Sequence, residues 1–147
     1  MPQERFKLVP SCYLILIKDG KTLLLRRQNT GYEDGNYGLV AGHLEGGESF
    51  RQGMVREAKE EAGITLNPEK LKIVHVMHRL EASPSNERVD VFMIAEDWKG
   101  EITNTEPHKC DDLSWFPLDQ LPENTIPYMR QALECFQKNI FYSERGF

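Results

Sequence analysis

Between residues 42 and 64 the chain sets glycines and charges at a spacing that leaves little freedom in what it can fold into. Gly42 is followed by five residues and then Glu48. After seven more residues comes Arg56-Glu57-Ala58-Lys59-Glu60-Glu61-Ala62-Gly63-Ile64. Ser49 with Gln52 three residues later forms a capping-box signature, the mark of a helix start. Gly63 stands where a left-handed closing residue is needed, so the spacing predicts a helix from about Ser49 to Ala62.

On that helix Glu57, Glu60 and Glu61 occupy positions i, i+3 and i+4, so their carboxylates lie on neighbouring turns of one face. Three negative charges in the last two turns repel one another and oppose the helix dipole. A solvated acidic face, with Arg56 pairing Glu60 at i+4 and Lys59 adding local compensation, is the plainer account. The approach to the helix argues for more. Gly42, Glu45, Gly46, Gly47 and Glu48 make a glycine-rich loop that lets a backbone carbonyl come close to a cation. A hard divalent ion with oxygen ligands relieves the charge, and Mg²⁺ favours one or two carboxylates plus substrate phosphates.

The whole pattern resembles the Nudix box, G-x5-E-x7-R-E-U-x-E-E-x-G-U, with U a bulky aliphatic residue. All seven fixed positions match. At residue frequencies of roughly 5–7% each, chance would produce this in a chain of this length on the order of once in a million. The resemblance implies roles. Glu57, Glu60 and Glu61 would hold one to three divalent ions, Mg²⁺ or Mn²⁺ in its place, with the carbonyl of Ala41 completing the shell. Arg56 would orient a box glutamate, and Gly42, Glu48 and Gly63 would support the geometry. Two positions depart from the family pattern: Val40-Ala41 stand where Pro-Gly is usual, and Ala58 fills an aliphatic site. Neither removes a carboxylate.

A length of 147 residues suits one domain, spanning 1–147, with a real core. The apolar run Tyr13 to Ile17 is too short to span a membrane, and the amino end lacks a signal-peptide pattern. Cys12, Cys110 and Cys135 are odd in number and far apart, as expected of reduced, mostly buried thiols in the cytoplasm. No C-x-x-C or H-x3-H pairing suggests zinc. The net charge of −5 argues against a nucleic-acid polymer as partner and for a small phosphorylated molecule neutralised locally by metal and arginine.

Along the chain, Ser11 to Lys18 reads as a buried strand, Asp19-Gly20 as a hairpin turn and Lys21 to Arg27 as the returning strand. A polar loop, Asn29 to Asn36, leads to a short strand at Tyr37 to Ala41. After the helix, Asn67-Pro68 marks a turn. Leu71 to Leu80 and Arg88 to Glu96 are strands joined by a loop containing Ala82 to Asn86. Lys99-Gly100 opens a connection, Leu113 to Phe116 is a further strand, and Ile126 to Lys138 an amphipathic helix with Leu133, Phe136 and Ile140 among its apolar positions. This order argues a mixed sheet between helices. The resemblance, from about Val9 through Leu133, implies the Nudix-type α/β/α sandwich.

Outside the box, only one of Arg26 and Arg27 can face a pocket. Resemblance to Nudix triphosphatases favours Arg27 against a substrate phosphate. The run Glu106-Pro107 with Lys109-Cys110 and then Trp115 is similar to a loop of small Nudix nucleotide pyrophosphatases. There a loop glutamate binds metal or serves as base, which implies that role for Glu106. Trp115 itself reads as core. Tyr32 and Tyr37 flank the polar loop, and Tyr37 or its neighbour is placed to stack on a base. His43, next to Gly42, is placed to meet phosphate or base. The resemblance implies a metal-dependent hydrolase of a nucleoside triphosphate or related nucleotide, with Glu57, Glu60 or Glu106 as general base. The alternatives are a nucleotide sugar, ADP-ribose or dinucleoside polyphosphate as substrate, or a non-catalytic nucleotide sensor. ADP-ribose members tend to carry a proline about fifteen residues after the box, where Arg79 and Leu80 stand here. The chain leaves monomer and homodimer both open.

Overall fold

Strand β1 (Val9–Lys18) divides the protein by simple alternation. In this computed structural model, which describes residues 3–81 and 86–147, Cys12, Leu14 and Leu16 turn to one face of the sheet and Tyr13 and Ile15 to the other. All five are buried. The first face packs against Met54, Ala58 and Ala62 of helix α1 (Phe50–Ala62). The second packs against Met129, Ala132 and Leu133 of helix α2 (Pro127–Gln137). Each large aliphatic side chain sealed this way contributes about 1.5–3 kcal/mol.

Strand β2 (Lys21–Arg27) returns through Asp19-Gly20, both at positive φ (54° and 73°), as a tight hairpin turn demands. It carries two antiparallel neighbours, β3 (Tyr37–Gly38) and β7 (Cys110–Pro117). Strand β1 pairs antiparallel with β4 (Val40–His43) along one edge and parallel with β6 (Glu87–Ala95) along the other. Strand β5 (Lys72–Leu80) runs antiparallel to β6, and β8 (Tyr142–Arg145) lies parallel on its outer edge. The result is a mixed eight-stranded sheet between two helices, an α/β/α sandwich.

Several sequence expectations need correction. The strand expected over Tyr37 to Ala41 is two, because Tyr37–Gly38 pairs with β2 whereas Val40–His43 pairs with β1; the box glycine therefore lies inside β4. Strand β7 begins at Cys110, three residues before the apolar run, since its pairing with β2 reaches Arg27. Ile140 falls beyond α2 and is exposed. The edge strand β8 has no counterpart in the sequence reading. The loop expected at Ala82 to Asn86 lies, but for Asn86, outside the described residues. Among the described residues no helix is long and apolar enough to cross a membrane. Cys12 and Cys110 are buried, Cys135 is half-buried, and all three are free thiols.

Candidate active site

Helix α1 begins as its sequence dictates. Ser49 accepts the Gln52 N–H, and the Gln52 side chain in turn accepts the Ser49 N–H. The helix ends at Gly63, with φ of 70°. These two stops hold the box side chains against the loop that precedes them.

Arg56 organises that contact. Its guanidinium forks onto Glu48, with Nε 3.0 Å from one carboxylate oxygen and Nη2 2.8 Å from the other. It also donates to the His43 carbonyl at 3.1 Å, to Glu57 at 2.8 Å and to Glu60 at 3.4 Å. Arg56 and the Glu45 N–H hold the Glu48 carboxyl down to about 2. Glu48 thus fastens the loop to the helix.

Glu57 is buried against Gly42. A Cβ on residue 42 would stand 2.1 Å from the Glu57 carboxyl, so only glycine allows this approach. Burial raises the Glu57 carboxyl above its ordinary range, with Glu60 and Glu106 adding to the effect and Arg56 opposing it. Glu61 accepts the Ala41 N–H at 2.9 Å. Burial pushes its carboxyl up to about 8, against that hydrogen bond and with help from the charges of Glu57 and Glu106.

The loop bearing Glu106 is docked on the end of the same helix. Thr103 N–H donates to the Ala62 carbonyl at 2.9 Å, and the Thr105 hydroxyl donates to the Glu60 carbonyl. Lys109 and Cys110 N–H groups close onto the Glu106 carbonyl at 2.9 and 3.0 Å. The Lys109 ammonium lies 3.8 Å from the Glu106 carboxylate. Glu61, Glu106, Arg27, Lys109, Ala41, Gly42 and His43 line one chamber of about 440 Å³. A second chamber of about 380 Å³ shares Arg27, Ala41, Gly42 and His43 and continues over the α2 face of the sheet.

The predicted residues are thus partly gathered. Arg27 lies at the junction of the chambers, its Nε donating to the Tyr32 carbonyl at 2.7 Å. Arg26 points away and pairs with Asp111 at 2.7 Å. His43 accepts an N–H of Arg88 on Nε2 at 2.8 Å. Burial and the Arg88 charge hold the imidazole below its usual range, so it is neutral with its proton on Nδ1. Tyr37 requires correction: it is a core residue, edge-on to Phe116 and bonded to Asp112, and lines neither chamber. Tyr32 is the tyrosine that lines the second chamber. Trp115 packs on the core beside Trp98. The Cys12 thiol, close to the Gly42 carbonyl, is pushed up to about 12 by burial and nearby carboxylates and is no nucleophile.

Among the described residues, no three carboxylate, imidazole or thiol side chains converge as a preformed metal cage. The physical reason is plain: Glu57 and Glu60 turn to Arg56, and Glu61 to the Ala41 N–H. The donor set nevertheless fits a hard cation. Five carboxylates, Glu48, Glu57, Glu60, Glu61 and Glu106, meet two arginines, Arg56 and Arg27, and one lysine, Lys109, and burial together with mutual charge drives Glu57 and Glu61 upward, the signature of a cluster short of positive charge. Sequence reading missed Ser11, Arg79, Arg88 and Tyr128 of the second chamber, because no local motif marks them.

A mixed sheet sandwiched by helices, with a glutamate-bearing helix packed on a glycine of the neighbouring strand, defines a recognisable class of protein. The NUDIX domain model matches residues 7–136, and the chain belongs to that family. It is 32% identical to a NAD-capped RNA hydrolase, NudC, of Stutzerimonas stutzeri, over 95% of this chain and 46% of that protein. It is 29% identical to an ADP-ribose pyrophosphatase of Methanocaldococcus jannaschii, over 74% of this chain and 62% of that one. The chain thus spans about half the length of the curated relatives it matches. In structure it is similar to a MutT NUDIX hydrolase of Burkholderia pseudomallei, at TM-score 0.79 and 29% identity, covering 88% of this chain and 98% of that one.

Proposed function

We propose that this protein is a Mg²⁺-dependent pyrophosphohydrolase that cleaves a diphosphate linkage in a nucleoside triphosphate or related nucleotide. The observation that carries the reading is the Glu61 carboxyl, pushed up by burial and by the charges of Glu57 and Glu106, at the wall of a chamber that Glu106, Arg27 and Lys109 also line. The residues that would hold the ion are Glu57, Glu60, Glu61 and Glu106, with the Ala41 carbonyl. Mg²⁺ bound there neutralises phosphate charge and acidifies water.

The chain's own groups supply the rest. Arg27 and Lys109 hold phosphate oxygens and position the chain of phosphates along the chamber. Arg56 keeps Glu57 aimed and the box loop fixed. One of Glu57, Glu60 and Glu106 takes the proton of the attacking water. A triphosphate would leave as monophosphate and pyrophosphate. The similarity to an ADP-ribose pyrophosphatase supports a second reading, in which the diphosphate of a nucleotide sugar occupies the same chamber.

The test is a panel of nucleotides assayed for phosphate release with and without added pyrophosphatase, before and after EDTA. Activity should vanish with EDTA and return with Mg²⁺ or Mn²⁺. Glu60→Gln should reduce turnover at least ~100-fold with the fold intact, because metal catalysis supplies several kcal/mol to the transition state. A folded variant with near-normal turnover would sink the assignment.

A further inference from the structure

The second chamber holds two buried donors that meet no acceptor among the described residues. Ser11 is 2% exposed and its hydroxyl has no hydrogen-bond partner among the described residues. The Nε of Arg88 is likewise buried and unpartnered. Both side chains line this chamber. Register brings them together: β1 and β6 pair Ser11 with Asp90 and Val9 with Arg88, so Ser11 and Arg88 are diagonal neighbours on the α2 face. The remaining guanidinium nitrogens of Arg88 are fixed by His43 at 2.8 Å and Asn86 at 2.7 Å.

A buried donor without a partner is unfavourable, so the arrangement calls for an acceptor from a ligand. The surroundings say which kind. Arg79 is neutralised by Asp90 at 2.7 Å and by Glu81, and its guanidinium stacks 3.6 Å over the Tyr128 ring. Both carboxylates serve Arg79, whose charge is thereby met, while Arg88 donates, among the described residues, only to His43 and Asn86. The rings of Tyr32 and Tyr128 suit a flat, neutral group. One oxygen with two lone pairs can take both donors at once, whereas a ring nitrogen takes only one and leaves the other buried and unmet.

We propose that the second chamber binds the nucleobase and selects one bearing a ring carbonyl, read jointly by Ser11 Oγ and Arg88 Nε. Adenine, which has none, is the disfavoured base. This rests on the pyrophosphohydrolase reading and deepens it.

The experiment compares kcat/KM for ITP and ATP, which differ at the 6-position, with GTP, CTP and UTP beside them. ATP should be the poorest by about 10-fold or more, the scale of one unmet buried donor. Ser11→Ala and Arg88→Lys, checked for fold by circular dichroism, should bring the ITP to ATP ratio close to 1 through KM. Calorimetry with IMP and AMP in EDTA gives the same comparison without turnover, and IMP should bind more tightly to the wild-type protein. Equal or better use of ATP, or no tighter binding of IMP than of AMP, overturns the assignment of the base while leaving the hydrolase reading in place. Absence of hydrolysis of every nucleotide in metal overturns the hydrolase reading itself, and the calorimetric comparison then still judges the chamber.

Discussion

Replacing Glu61 by glutamine should stabilise the metal-free protein while abolishing its activity. Burial moves the Glu61 carboxyl from an ordinary 4.5 to about 8. The folded state therefore binds a proton that the unfolded state has released, and stability present below pH 4.5 is lost as pH rises towards 8. At about 1.4 kcal/mol per unit, the loss by pH 7 is about 3 kcal/mol for a fully sealed group. Glu61 retains some contact with solvent, and screening reduces this to about 1–2 kcal/mol. A glutamine keeps the acceptor for the Ala41 N–H and never ionises. Thermal unfolding in EDTA should show the two proteins nearly equal at pH 5 and Glu61→Gln higher by roughly 3–8 °C at pH 8. Adding Mg²⁺ should then raise the wild type far more than the variant. An identical gap at both pH values, or a variant less stable at pH 8, would refute the argument that Glu61 is a buried charge awaiting a cation.

Three further outcomes follow from the same geometry. Gly42→Ala should lower turnover at least ~10-fold, because its Cβ would lie 2.1 Å from the Glu57 carboxyl and displace it; steady-state kinetics with full activity would contradict this. Glu106→Gln should lose turnover where Asp111→Asn, altering an exposed partner of Arg26 at the start of the strand that follows, should not; equal small effects would make Glu106 an ordinary surface charge. Asp90→Ala should cost about 1.5–3 kcal/mol in urea unfolding, since it removes the fully buried partner of Arg79 and leaves Glu81 as its only carboxylate among the described residues.

What the sequence disclosed follows from how local each determinant is. The bounds of α1 are written in neighbouring residues, the Ser49–Gln52 box and Gly63, and the structure has them there. The hairpin at Asp19-Gly20 is local in the same way. Strand β8 is not, since Tyr142–Arg145 is held by parallel pairing with β5, more than sixty residues earlier, and is largely exposed. The division of Tyr37 to Ala41 was equally hidden, because it depends on which of two strands each half meets. Tyr37 is similar: its position beside a polar loop suggested a ligand, but the pairing of β3 with β2 sets it in the core against Phe116.

The candidate site divides along the same line. Its charged side lies on one helix and one loop and can be found by spacing. Its other side is assembled from Ser11 on β1, Arg79 on β5, Arg88 on β6 and Tyr128 on α2, residues that only strand register makes neighbours. The two sides meet in three consecutive residues. Gly42 faces α1, where its missing Cβ admits Glu57, while Ala41 and His43 alternate to the α2 side, opposite Tyr13 and Ser11. Alternation along β4 thus makes one short strand the floor of both chambers. On this backbone, substrate choice can change without the box changing, and an intact box alone does not identify the base.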